Sequence, residues 1–156
     1  RSVTDEELME LALLLAGEAS VCGEIPVGAV VAKDGAVIGK GRNRNRELND
    51  PTMHAEIIAI REAASFMQNE RLTNCVLYVT KEPCAMCAGA IVHSRIVRVV
   101  IGAEDIKYGA CGSVFDVCGS ARMNHVPEIG FGMLREKSSS MLREFFQGKR
   151  ALKKEG

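Results

Sequence analysis

The sequence predicts an α/β fold, one sheet with helices on both faces. Two observations carry this. Strand-like and helix-like stretches follow one another along the chain. The segment from Cys75 to Ile101 reads strand, helix, strand, a βαβ unit whose two strands should run parallel. The 156 residues, 47% of them apolar, suffice for one domain with its own core. With no internal repeat, low-complexity segment or linker, the domain is expected to span residues 1–156.

The elements are expected in this order. Thr4-Asp5-Glu6-Glu7 has the form of a capping box, and Leu8, Leu11, Ala12 and Leu15 follow at helical spacing, so a first helix should end near Gly23. Val27 to Ala32 and Val37 to Gly41 read as strands around the turn Lys33-Asp34-Gly35. Asp50 to about Phe66 is the second helix, with Asp50 as N-cap and Pro51 at the first helical position. Cys75 to Thr80 is a buried strand, Pro83 to about Ser94 a third helix, and Val97 to Ile101 a further strand. A loop with Gly109 and Gly112 follows; it could cradle phosphate or simply turn the chain. The last helix, about 134–150, carries Leu134, Met141, Leu142 and Phe145 at helical spacing and is basic.

Composition excludes some classes. The longest apolar run, Leu11 to Ala16, is far too short to cross a bilayer, so no membrane association is expected. No secretory leader is visible, although opening on Arg1 leaves a processed start possible. Lysine plus arginine equals aspartate plus glutamate at 20 each, so any nucleic-acid partner must be read from local patches. Six irregularly spaced cysteines in a chain of this size do not suggest a disulfide framework. Cys22, Cys75, Cys111 and Cys118 are expected to pack as small apolar groups, Met86 to lie in the core, and His93 and His125 to be structural.

Two helix starts carry chemistry. In D-P-T-M-H-A-E-I, His54 and Glu56 lie two apart, and residues so spaced share no face in mid-helix. They serve one site only if they lie in the first turn. The plainer alternative is a histidine near a helix end and a glutamate favoured by the helix dipole. In K-E-P-C-A-M-C-A, Cys84 and Cys87 do share a face, near a helix N-terminus that favours thiolates. Alone, that pair is a redox motif, half of a four-cysteine zinc site, or coincidence. Cys111 and Cys118 are poorly spaced to complete four cysteines, and a redox pair leaves His54 and Glu56 without a role. Joined, His54, Cys84 and Cys87 make three zinc ligands, and three protein ligands leave a position for water. Zinc can lower the pKa of that water from about 15.7 to about 7. Glu56, beside the metal but not bound to it, would then act as the catalytic proton shuttle.

H-x-E followed by P-C-x-x-C is the zinc nucleobase-deaminase signature. From about residue 5 to residue 150 the chain resembles the bacterial tRNA-specific adenosine deaminases, within the zinc-dependent cytidine and deoxycytidylate deaminase superfamily. The stretches that carry the resemblance are E-I-P-V-G-A-V-V (Glu24 to Val31), G-R-N-R (Gly41 to Arg44), D-P-T-M-H-A-E-I (Asp50 to Ile57), E-P-C-A-M-C-A-G-A-I-V-H-S-R-I (Glu82 to Ile96), G-A-C-G-S (Gly109 to Ser113), M-N-H (Met123 to His125) and L-R-E-F-F (Leu142 to Phe146). The run from Glu82 to Ile96 is the most specific. The resemblance implies a three-layer α/β/α cytidine-deaminase-like fold with a mixed five-stranded sheet. It implies hydrolytic conversion of adenosine to inosine at the wobble position of a tRNA anticodon, typically of an arginine tRNA. It also implies one zinc per chain, a homodimer and a cytoplasmic location. By the same resemblance Asn43 contacts the purine, Val27 and Ala55 line the base pocket, and Asp105 and Lys107 lie beside the flipped nucleotide. Met53 and Arg42 depart from the residues usual in the family.

The C-terminal helix offers a surface for the RNA. Arg143, Phe146 and Arg150 fall on one face, away from the Leu142 and Phe145 side, and residues 143–156 hold five basic and two acidic residues. Arginines with an exposed aromatic can grip phosphate and stack a base; otherwise this is a solvated helix end with Phe146 in the core. Arg42, Arg44 and Arg46 form a second basic cluster beside Asn43. Two rival functions share part of the pattern: a deaminase of free guanine, cytosine or their nucleosides, which needs no basic helix, and a non-catalytic zinc-binding subunit, which needs no Glu56.

Overall fold

The structure, a computed structural model, describes residues 3–155. Helix α1 (Asp5–Val21) begins where expected: the Glu7 amide donates to Thr4 Oγ1 at 3.1 Å, and three acids occupy the positive end of the helix. Strands β1 (Gly28–Lys33) and β2 (Ala36–Arg42) form a hairpin. Asp34 (φ 51°) and Gly35 (φ 78°) are both left-handed, which matches the twist of a two-residue hairpin turn. Helix α2 (Ala55–Met67), strand β3 (Cys75–Lys81), helix α3 (Ala85–Ser94), strand β4 (Arg98–Ala103), strand β5 (Glu128–Phe131) and helix α4 (Arg135–Glu155) follow.

The sheet order is β2-β1-β3-β4-β5. β1 is antiparallel to β2 and β3, while β3–β4 and β4–β5 are parallel. The sheet is thus mixed and five-stranded, and the βαβ unit has the parallel strands its sequence predicted. Period-two alternation divides the core. Ala29, Val31, Leu77, Val79, Val99 and Ile101 pack toward α2 and α3. Val30, Ala32, Tyr78 and Val100 pack toward α1 and α4. On the α2 side, β2 carries glycine where the helix passes closest. A Cβ at Gly41 would lie 2.3 Å from the Ala55 carbonyl oxygen, and one at Gly39 the same distance from that of Ala59. Their absence lets the α2 backbone rest on the strand, and so fixes the helix start that bears the site.

Several elements differ from the sequence reading. α2 starts at Ala55 with His54 as N-cap, not at Asp50. Asp50 Oδ1 accepts from the Thr52 amide (2.9 Å) and hydroxyl (2.7 Å), and so folds residues 50–52 into a turn of their own. α3 likewise starts at Ala85, two residues past Pro83, with Cys84 as N-cap. β5 had no strand signal: four residues at the sheet edge, with only Ile129 half-buried among exposed neighbours. Leu134 (φ 55°) is left-handed and lies before α4, which continues to Glu155. Met86 is 38% exposed because it points outward from the first turn of α3. Cys22, at the C-cap of α1, is also exposed; Cys75, Cys111 and Cys118 are buried, and all six thiols are free.

Candidate metal centre and substrate pocket

His54 and Cys84 are both N-cap residues with extended backbone, φ −76° and ψ 158° for one, φ −74° and ψ 176° for the other. Neither turns its side chain back onto its own helix. The duty passes elsewhere: Asn43 Oδ1 accepts from the Ala55 amide at 2.9 Å. The imidazole and thiol are therefore free to point away from their helices and toward each other. Cys87 joins them from the first turn of α3, on the same face as Cys84.

His54 Nδ1 lies 3.6 Å from Cys84 Sγ and 3.5 Å from Cys87 Sγ, and the three donor atoms all lie within 4.8 Å of one another. A tetrahedral zinc with Zn–S of about 2.3 Å and Zn–N of about 2.0–2.1 Å separates nitrogen from sulfur by about 3.6 Å. The donor set therefore fits the ion in both chemistry and spacing.

The electrostatics fit as well. The hydrogen bond from Cys87, with a further contribution from His54, pulls the Cys84 thiol down to about 3. Hydrogen bonding to Cys84 and burial push the Cys87 thiol up. The His54 imidazole is pushed up, chiefly by its hydrogen bond with the Cys84 sulfur. The cluster thus holds protons that a divalent cation would displace. Glu56, in the first turn of α2, is 4% exposed, and desolvation pushes its carboxyl above the usual carboxylate range.

Beside this centre opens a cavity of about 680 Å³, within the range of small-ligand sites. His54, Glu56 and Cys84 are among the residues that line it. Val27 and Asn43 line one wall, Asp105, Lys107 and Tyr108 another, and Leu142 and Phe146 of α4 reach its mouth. Lys107, Arg143, Phe146 and Arg150 line an adjoining groove. The structure thus gathers nearly all the residues singled out in the sequence. Ala55 is fully buried behind the wall and meets the site through its amide's bond to Asn43. Phe146 is 38% exposed rather than core, and Leu142 lies on its side of the helix rather than opposite.

Other residues are engaged differently from expectation. Asn43 spends its side chain on two structural bonds, to the Ala55 amide and the Ile25 carbonyl (3.0 Å), which leaves one acceptor and one donor site. Arg42 and Arg44 are not free cations, since Glu47 holds both guanidiniums. Asp105 caps the amides of Lys107 (2.9 Å) and Tyr108 (3.1 Å) and pairs with Lys81 at 3.1 Å. Two buried glutamates with no sequence signal of a role, Glu24 and Glu82, bind the loops on either side of the cavity through their carboxylates.

Comparison with known proteins agrees with this geometry. Residues 2–103 match the family described as the cytidine and deoxycytidylate deaminase zinc-binding region. A tRNA-specific adenosine deaminase of Haemophilus influenzae is 53% identical over 155 residues, which cover 99% of this chain and 90% of that protein. Among solved structures, one from a study of A-to-I editing by tRNA:A34 deaminases at the wobble position superposes with a TM-score of 0.84. It is 45% identical, over 86% of this chain and 98% of the other. A guanine deaminase from Nitrosomonas europaea superposes with a TM-score of 0.81 at 25% identity, over 93% of this chain and 86% of the other. The chain belongs to the zinc-dependent cytidine and deoxycytidylate deaminase family. His54, Cys84 and Cys87 form its donor set for one zinc ion per chain.

Proposed function

We infer that the protein is a zinc-dependent tRNA adenosine deaminase, which hydrolyses adenosine to inosine at the wobble position of an anticodon. The observation that carries this reading is the juxtaposition of one imidazole and two thiol donors with a buried carboxyl at a cavity of about 680 Å³. The tRNA-specific name of the Haemophilus influenzae relative supports the choice of substrate. So does the groove of Arg143, Phe146 and Arg150 beside the cavity mouth, a surface that free-base deamination does not require. We read the whole chain as one deaminase domain acting in the cytoplasm as a homodimer. An arginine tRNA is the expected substrate, by resemblance to the bacterial family. Exposed Met86, Val114 and Phe115, on α3 and the loop after β4, supply apolar surface for a subunit contact.

In this reading His54 Nδ1 and the two cysteine sulfurs hold the ion. Bound there, zinc supplies acidification of a water at neutral pH. Glu56 takes the proton of the attacking water and delivers it to N1 of adenine. It then takes the proton of the hydroxyl newly bonded to C6 and delivers it to N6; the C6–N6 bond breaks, the C6 carbonyl of inosine forms and ammonia leaves. Burial raises the proton affinity of Glu56, the direction that proton uptake from the attacking water requires. Val27 packs against the base, and Asn43 has one donor and one acceptor left for its edge. Phe146 can stack a neighbouring base while Lys107, Arg143 and Arg150 meet phosphates. The target base is unpaired in an anticodon loop, so extruding it costs less than opening a duplex.

The test offers free adenosine, guanine, cytosine and an adenosine-bearing anticodon stem-loop to the zinc-loaded protein. Inosine formed only in the stem-loop is the expected result. Product from free bases alone would replace this reading with a free-base deaminase. No product from zinc-loaded protein would leave a non-catalytic zinc protein.

A further inference from the structure

Among the described residues three carboxylates are buried: Glu56, Glu24 and Glu82. The mechanism uses only the first. Burying an anion is costly unless it is compensated, and neither Glu24 nor Glu82 has an ion-pair partner among the described residues. Backbone amides compensate them instead. Glu24 accepts from the amides of Arg46 (3.2 Å) and Glu47 (2.8 Å). Glu82 accepts from the amides of Asp105 (3.0 Å), Cys111 (3.0 Å) and Ser113 (3.1 Å), and from the Ser113 hydroxyl (2.5 Å).

The amides so bound belong to two loops that flank the cavity. One runs on from Asn43 and Asn45, the other from Asp105, Lys107 and Tyr108, and these five residues line it. Gly109 marks how closely the second loop folds over its acid, since a Cβ there would lie 2.4 Å from Glu82 Cδ. We propose that Glu24 and Glu82 are positioning residues for the target nucleotide: each buried carboxylate fixes one of the two facing loops, and together they set the gap that admits the flipped base. A carboxylate suits the task because it only accepts, at about four lone-pair sites, and its bonds to N–H groups are charge-assisted. Glutamine cannot replace it cleanly, because its NH₂ group would face amide donors.

This inference rests on the stem-loop reading, and the experiment separates the two. Wild type, Glu82→Gln, Glu24→Gln and Ser113→Ala are assayed on the anticodon stem-loop for kcat and KM, with zinc content and Tm measured alongside. The expected result is an increase in KM of at least about tenfold for each glutamine variant, with kcat and zinc little changed. Ser113→Ala, which removes one donor and leaves the carboxylate in place, should raise KM about threefold and decides the Glu82 arm if Glu82→Gln does not fold. Folded, zinc-loaded variants with the KM of wild type would overturn the inference. So would a fall in kcat with loss of zinc at unchanged KM, which would make Glu82 a support of the metal helix. A wild type inactive on the stem-loop would instead refute the functional reading itself.

Discussion

His54 stands at a position where asparagine, aspartate, serine or threonine usually returns an oxygen to the helix; here the imidazole leaves the helix for a metal. Asn43 meets the helix end in its place. Because Asn43 already accepts from the first amide of α2, His54→Asn should leave the stability of chelator-treated protein near that of wild type in denaturant titration, while the zinc content of untreated protein falls well below one per chain. A loss of stability would show that the imidazole contributes to the apo fold. Glu56 makes the converse case. Glu56→Ala should keep its zinc, and its turnover should fall by about 10²–10⁴-fold. Activity close to wild type would remove Glu56 from proton transfer. His54, Cys84, Cys87 and Glu56 were legible in the sequence because zinc chemistry demands particular residue types. Glu24 and Glu82 were not. A carboxylate that binds backbone amides leaves no mark on its partners, since every residue except proline carries the same N–H.

At the level of elements, strong periodicity gave reliable expectations and capping gave mixed ones. α1, the hairpin and the βαβ unit stand where their patterns put them, because a buried face fixes period and register together. Asp50-Pro51 has the composition of a helix start, yet Asp50 satisfies Thr52 first and defers the helix by several residues. β5 lies at an edge with little to bury, and so carried no alternation to read. α1 is tied to the sheet by polar groups as well as apolar ones. Tyr78 donates its hydroxyl to Asp5 Oδ1 at 2.7 Å, and Arg98 pairs with the same carboxylate. The bond from Arg98 holds the Asp5 carboxyl below its ordinary 3.8. The folded state therefore binds that proton less readily than the unfolded chain. The resulting stability is present above pH 3.8 and is lost as pH falls through the folded value. Thermal melts of wild type and Asp5→Asn should differ at pH 6 and converge in strong acid. Burial, with the Asp5 bond, pushes the Tyr78 hydroxyl from 10.0 to about 12, so further stability should be lost as pH rises through that interval. A constant difference between the two melts across the acid range would assign Asp5 no titrating role.

At the scale of the whole molecule, the sheet brings together residues from distant parts of the chain. β2 delivers Asn43, α2 delivers His54 and Glu56, β3 leads into Glu82 and Cys84, β4 into Asp105, and α4 closes the mouth. The homodimer proposed above predicts sedimentation at twice the chain mass; a monomer at micromolar concentration would refute it. The grip of Glu47 on Arg42 and Arg44 has a consequence for RNA affinity. Two cations that share one carboxylate keep a net charge of only one between them, and so displace fewer condensed ions from a polyanion than two unpaired arginines would. Sodium chloride titration of stem-loop binding should show it. Arg150→Ala should flatten the log–log dependence on salt by about 0.7, while Arg44→Ala should flatten it by less. The entropy of released counterions would then come more from the α4 flank than from the other, so that the ionic atmosphere itself favours one approach of the anticodon before any base is touched.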